Sequence, residues 1–189
     1  MTDEKPMILV VDDEDDIAAL YTTWLDIDYD VRTAYGGEGA LEKVDEDVDI
    51  VFLDRQMPDL SGDEVLDRIR ARGLDCRVVM VTAVDPDFDI VEMPFDDYLT
   101  KPVMREDLTN AVENMREREA YDDTVQEYFA LTSKKATLEA EKSRSELQQN
   151  EEYQEMVDRV GELEEEADTV VAGFNDDYES LFQEFPGGE

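Results

Sequence analysis

Five chemistry-bearing positions close or follow short apolar runs. Asp54 ends Ile50-Val51-Phe52-Leu53, and Pro58 bars any continuation as strand or helix interior, so Asp54 sits at a strand's carboxyl edge where the chain opens into a loop. Asp12 and Asp13 end Met7-Ile8-Leu9-Val10-Val11; Thr82 ends residues 78–81; Lys101-Pro102 follows Asp97-Tyr98-Leu99-Thr100. Each has a dull reading alone: a loop-capping carboxylate, a β-branched strand end, a surface lysine. Gathered at one edge they make a different object. Three carboxylates within a few ångströms repel one another and raise their pKa values unless a cation intervenes. Hard oxygen ligands with room for water suit Mg²⁺, and a lysine cation arriving beside them can pair with Asp54 or with a phosphoryl oxygen. A solvated acidic cluster is the competing reading in so acidic a chain. It is disfavoured because these aspartates terminate apolar strands, whereas the other Asp residues scatter over loops and helices.

The elements that must position these groups alternate. Ile17, Leu20, Tyr21, Trp24 and Leu25, spaced 3, 1, 3 and 1, predict one apolar helix face over residues 15–26. Residues 31–34 read as a short strand, and Gly36-Gly37 breaks the chain before a helix carrying Ala40, Leu41 and Val44. Val65, Leu66 and Ile69 mark the helix after Pro58 to Gly62. Pro86 and Pro94 limit any helix over residues 84–94 to a turn or two. A helix starting near Met104 carries Leu108, Ala111, Val112 and Met115. Five strand and helix units in alternation imply an α/β, flavodoxin-like, doubly wound parallel sheet of order 2-1-3-4-5, with ligands at its carboxyl edge. That order brings the first, third and fourth strand ends together.

The Asp pair, Asp54, Thr82 and Lys101-Pro102, in this order and spacing, resemble the receiver domain of two-component response regulators over about residues 6–119. The resemblance implies that Asp54 accepts a phosphoryl group as an aspartyl phosphate, and that Asp13 binds Mg²⁺ directly and Asp12 largely through water. It implies that Gln56 lends its backbone carbonyl to the metal while its side chain affects the lifetime of the acyl phosphate. Thr82 and Lys101 engage the phosphoryl oxygens, and Tyr98 is the aromatic whose rotamer tracks activation. Pro102 is expected to fix the approach of Lys101 through a cis peptide. The chain is then no enzyme in the ordinary sense but a phosphoacceptor that catalyses its own phosphoryl transfer and dephosphorylation. Aspartate-nucleophile phosphatases are the competing class; they need a second Asp two residues after the nucleophile, where Gln56 stands. One departure concerns Pro94-Phe95-Asp96-Asp97, which replaces the small-residue turn usual before the fifth strand. With the fourth helix shortened, pairing through the usual face of fourth helix, fifth strand and fifth helix is in question.

Composition adds boundaries. The 189 residues allow one domain and a smaller appendage. They hold 53 acidic against 17 basic residues, a net charge of −36, which points to a surface adapted to multimolar salt, as in haloarchaea. No histidine is present, so a phosphohistidine donor must lie on a sensor histidine kinase outside this sequence. Cys76, beside an apolar run, reads as a small buried hydrophobe. No apolar run approaches a membrane span and no signal core opens the chain, so a cytoplasmic protein is expected.

The division is expected at 1–119 and 120–189, the second part an all-α helical hairpin or coiled-coil extension. With no proline from 117 to 166 and no glycine before Gly161, the sequence leaves open whether the fifth helix, the one starting near Met104, runs on through Val125, Tyr128 and Phe129; Thr132 and Ser133 offer a cap for a fresh start and Asn150 another. Tyr153, Met156, Val160, Leu163, Ala167, Val170 and Phe174 recur at alternating spacings of 3 and 4, a heptad seam that fits either a neighbour in the same chain or an intermolecular partner. Leu131-Thr132-Ser133-Lys134-Lys135-Ala136 with the segments at 139–143 and 150–153 resembles the HalX domain appended to haloarchaeal receivers, which implies a role in transcription regulation. Electrostatics disfavour DNA as the partner: residues 120–189 hold 5 basic against 20 acidic residues, a net of −15, with only Lys134, Lys135, Lys142 and Arg144 clustered. A homodimer or a partner protein is the preferred output.

Overall fold

The structure is a computed structural model that describes residues 5–119, 121 and 123–171, the last five as backbone only. Its first compact unit comprises the described residues up to Asp85 together with Glu92–Glu117; its second comprises Pro86–Val91 and the described residues from Arg118 onward.

The first unit alternates as its apolar runs require: β1 (Met7–Val11), α1 (Asp15–Leu25), β2 (Asp30–Ala34), α2 (Gly37–Lys43), β3 (Ile50–Leu53), α3 (Gly62–Ala71), β4 (Arg77–Thr82), β5 (Asp97–Thr100) and α4 (Arg105–Arg118). All pairings are parallel, in the order β2-β1-β3-β4-β5. The fourth crossover carries only a 3-10 turn, Phe88–Glu92, as Pro86 and Pro94 dictate. Because β1, β3 and β4 are covered on both faces, their residues are apolar without alternation. Ile8, Val10, Phe52 and Val79 meet Leu25, Leu108, Val112 and Met115 from the helices. Each such fully buried apolar side chain contributes roughly 1.5–3 kcal/mol.

Two devices fix the loop after β3. Ser61 and Glu64 form a reciprocal capping box at the start of α3. Gly62 lies so close to the chain that a Cβ there would stand 2.1 Å from the Asp54 carbonyl oxygen, so only glycine lets α3 begin against the end of β3. The Arg55 guanidinium then closes the loop on the Asp63 carboxylate, with Nε 2.9 Å from Oδ1 and Nη2 3.1 Å from Oδ2. Before β5, Asp96 accepts from Arg70, Arg77 and the Val78 amide, which ties down the segment that departs from the usual small-residue turn.

Leu20 is a correction: the apolar face of α1 is narrower than its spacing predicts, and Leu20 stands 43% exposed while Ala18 is buried in its place.

The second unit holds α5 (Asp123–Glu141), α6 (Arg144–Gln149) and α7 (Glu151–Val171). The helix that starts near Met104 is α4, and it does not run on: α4 ends at Arg118 and α5 begins at Asp123. The proposed restart at Thr132 and Ser133 is corrected too. Both lie inside α5, where the Ser133 carbonyl accepts from the Thr137 hydroxyl. The restart falls instead at Ser143, whose capping box with Glu146 opens α6. Asn150 does cap α7: its Oδ1 accepts from the Tyr153 amide at 2.7 Å. Of the heptad seam, Tyr153, Met156, Val160 and Leu163 are buried. Val160 and Leu163 pack with Val125, Tyr128 and Phe129 of α5, so this part of the seam is satisfied within the chain. The side chains of Ala167 and Val170, and Phe174 as a whole, lie outside the described residues.

Candidate functional site

Register places the acidic groups. Val11 pairs with Leu53, so the residues that follow, Asp12 and Asp54, leave the sheet side by side; the Asp54 amide donates to the Val11 carbonyl at 3.0 Å. The carboxylates of Asp12, Asp13 and Asp54 offer ligand atoms within 4.8 Å of one another. Asp12 and Asp54 are buried and Asp13 is half-buried. On the other side, the Lys101 amide donates to the Thr82 carbonyl at 2.8 Å, which seats the lysine beside β4. Its peptide to Pro102 is cis. Lys101 Nζ reaches Asp12 Oδ2 at 2.7 Å and Asp54 Oδ2 at 3.4 Å.

The remaining lone pairs are partly spoken for. Asp12 Oδ1 accepts from the Glu14 amide at 2.9 Å, so both its oxygens are held; Asp54 Oδ1 accepts the Gln56 amide at a long 3.4 Å. Burial pushes the Asp54 carboxyl above the ordinary carboxylate range; the neighbouring Lys101 charge opposes this and Asp12 adds to it. For Lys101, burial alone would lower the pKa, but the hydrogen bond to Asp12 and the charges of Asp54 and Asp12 outweigh it and hold the ammonium above its usual value. Three carboxylates against one ammonium leave the cluster short of positive charge. That donor set, hard carboxylate oxygens with Asp13 only half-buried, fits a small divalent cation.

The other predicted residues sit around this cluster. Thr82 is fully buried at the end of β4, and its Oγ1 accepts from the Val84 amide at 3.2 Å. Tyr98 is buried, its ring 5.7 Å from that of Phe95 and its hydroxyl donating to the Val84 carbonyl at 2.7 Å. Gln56 is exposed on the loop beyond Asp54. Sequence reasoning missed Val84, the residue bonded by both Thr82 and Tyr98. Only its backbone is used, so no side-chain type could have marked it. The Arg55 and Asp63 clasp was also missed; opposite charges flanking a Pro and Gly loop were its only signal.

The strand order and the pocket at its carboxyl edge are those of receiver domains in signal transduction. The chain belongs to the response regulator receiver domain family, which it matches over residues 8–113, and residues 117–182 match the HalX domain. A Haloferax volcanii protein that carries the provisional name of transcriptional regulator is 46% identical over 168 residues, 88% of this chain and 29% of its own. The Bacillus subtilis alkaline phosphatase synthesis transcriptional regulatory protein PhoP is 45% identical over 100 residues, 50% of this chain and 42% of its own. The chain thus spans less than half the length of these curated relatives. Among solved structures, the Thermotoga maritima response regulator TrrA in complex with Mg²⁺ and beryllofluoride is 33% identical with a TM-score of 0.52, covering 58% of this chain and 98% of that one. The beryllofluoride-activated DrrB receiver domain is 30% identical with a TM-score of 0.55, covering 60% and 99%.

Among the described residues no helix is long and apolar enough to cross a membrane.

Proposed function

We propose that Asp54 is the phosphoacceptor of a phosphorelay, supplied by a sensor histidine kinase, and that the helical unit passes the signal on by binding protein. The observation that carries this is the buried Asp54 carboxylate, set with Asp12 and Asp13 within 4.8 Å and with Lys101 Nζ 3.4 Å away. In the reaction an Asp54 oxygen attacks the donor phosphorus, the bond from phosphorus to the donor atom breaks, and the electron pair leaves with the donor. Asp12, Asp13, Asp54 and the Gln56 carbonyl are the groups that would hold Mg²⁺, whose charge, when bound, offsets that of the phosphoryl oxygens. Lys101 sets its ammonium against the same oxygens, and the Thr82 hydroxyl donates to one of them. The mixed anhydride so formed hydrolyses unaided, with Gln56 at the mouth of the site to influence its lifetime. Asp54 has no acidic residue two positions on, which supports a phosphoacceptor over a phosphatase. The protein is read as working in a salt-rich cytoplasm, divided into a receiver over residues 1–119 and an output part over 120–189.

Incubation with Mg²⁺ and a small phosphodonor should label the parent chain and leave Asp54→Asn unlabelled. Equal labelling of both would show the phosphoacceptor lies elsewhere.

The HalX match and the relative's name favour a second reading, DNA binding. Three of the four clustered basic residues are engaged inside the helical unit, Lys134 on the Val91 carbonyl, Lys142 on Asp87 and Lys135 on Glu139, which weakens that reading. Retention of genomic DNA at molar KCl by the phosphorylated chain, lost on charge reversal of Lys135 and Arg144, would restore it.

A further inference from the structure

The connection between β4 and β5 is shared between the two units: it belongs to the first as far as Asp85, to the second over Pro86–Val91, and to the first again from Glu92. Within the second unit those six residues are anchored at several points. Lys142 Nζ lies 2.9 Å from Asp87 Oδ1 and 5.5 Å from the centroid of the Phe88 ring. The Phe88 ring meets the Tyr153 ring edge-on at 6.4 Å. Lys134 Nζ donates to the Val91 carbonyl at 3.1 Å, and Ile90 is fully buried. Lys134 is itself 5% exposed, a costly place for an ammonium unless it is bonded as it is here.

Within the first unit, Val84 is held at both of its backbone polar groups. Thr82 Oγ1 accepts from its N–H, and the Tyr98 hydroxyl donates to its carbonyl. Asp85 alone separates this doubly held residue from the anchored segment.

We infer that the helical unit reads the state of Asp54 through the backbone of Val84, with Lys134 and Lys142 as positioning residues that hold Pro86–Val91 in the setting of the unmodified chain. The inference rests on Asp54 being the phosphoacceptor. A phosphoryl group there presents anionic oxygens to the Thr82 hydroxyl, and turning toward them strains the bond that this hydroxyl accepts from Val84. Any shift of Val84 must be absorbed within Asp85 or passed to a segment tied down by an ion pair, a ring contact and a carbonyl bond. Coupling of this kind is reciprocal. Anchors that resist the shift lower the affinity of Asp54 for a phosphoryl mimic, and the mimic loosens the anchors.

The test is a titration of the full chain with beryllofluoride and Mg²⁺ in molar KCl, followed by fluorine NMR. Lys142→Gln is expected to bind the mimic roughly fivefold more tightly or better, the lower end of ordinary allosteric coupling. The charge exchange of Asp87→Lys with Lys142→Asp should bring affinity back toward the parent value, which a merely structural loss would not do. In the parent, amide hydrogen exchange over residues 87–91 should quicken when the mimic binds. Equal affinity in the parent and Lys142→Gln overturns the coupling even if the segment exchanges faster. No uptake by the parent overturns the phosphoacceptor reading, and the inference with it.

Discussion

Lys101 Nζ stands 2.7 Å from Asp12 Oδ2, across 89 residues of chain, and is closer to this carboxylate than to that of Asp54 at 3.4 Å. The lysine therefore already occupies the electrostatic place that a divalent cation competes for. Removing it should act in opposite directions on metal and on phosphoryl group. In Lys101→Met, Mg²⁺ should bind roughly tenfold more tightly, because a unit charge a few ångströms away no longer repels it. Labelling of Asp54 by a small phosphodonor should slow by at least about tenfold, because the ammonium is lost where negative charge gathers. Calorimetric titration and a labelling time course read the two effects separately, and a variant weakened in both would contradict this account.

The raised pKa of Asp54 has a signed consequence for stability. The folded carboxyl holds its proton to higher pH than the unfolded one, so the stability it contributes is fully present below the unfolded value and is lost as pH rises through the raised folded value. Asp54→Asn should match the parent most closely in acid and gain on it as pH climbs through that window, in melts without divalent cations. Added Mg²⁺ should narrow the gap at neutral pH by stabilising only the parent strongly. A gap that shrinks as pH rises would reverse the sign.

Strand ends were legible because each apolar run of β1, β3 and β4 stops abruptly at a polar residue, and parallel order then leaves little freedom over where Asp12, Asp54 and Thr82 emerge. Period alone does not decide how wide the buried stripe of α1 is, and Leu20, whose spacing points inward, stands exposed. Hydroxyl residues misled at Thr132 and Ser133, since tertiary packing carries α5 through them, while the Ser-x-x-Glu signature at Ser143 was a better stop and start signal. Least legible was the membership of Pro86–Val91 in the second unit. It depends on Lys134 and Lys142 meeting residues more than forty positions earlier, and nothing in a local pattern marks such pairs.

Salt should govern whether the chain stays folded. With a net charge of −36, self-repulsion is unscreened in dilute buffer, whereas at about 1 M salt the screening length falls to ~3 Å. The thermal midpoint should rise by roughly 10 °C or more between dilute buffer and molar KCl, the equivalent of several kcal/mol for a chain of this size. An unmoved midpoint would remove the halophilic reading of the surface.

Gly62→Ala should be among the most damaging single changes in the first unit. Its Cβ has only the backbone of Asp54 and Arg55 to displace, at 2.1 and 2.8 Å, and backbone cannot swing aside as a long side chain can. A cost of about 2–3 kcal/mol is expected, of the size of other overpacking changes. Labelling of Asp54 should fall with it, because the displaced atoms carry the nucleophile. Arg72→Ala, at the exposed end of α3, is the control and should leave labelling unchanged. Equal labelling of Gly62→Ala and the parent would mean that the loop can relax without moving the carboxylate.

Leu163 separates the two uses open to the heptad seam. It is fully buried against Val125, Tyr128, Phe129 and Val160 of its own chain, and Arg159 pairs with Glu127 of α5 alongside. A lysine there puts an ammonium into that cluster and should cost at least about 3 kcal/mol, more than so small a core can spare. Leu163→Lys should therefore lose the helical signal of the second unit by circular dichroism while Asp54 is still labelled, and Glu164→Lys, one position on at an exposed site, should retain both. Concentration adds an independent check. A seam filled within the chain gives a melting midpoint that does not change with protein concentration, whereas a seam shared between copies gives one that rises with it. The intramolecular packing of Leu163 predicts a constant midpoint over a hundredfold dilution series, because Val160 and Leu163 are already filled by Val125, Tyr128 and Phe129 of the same chain.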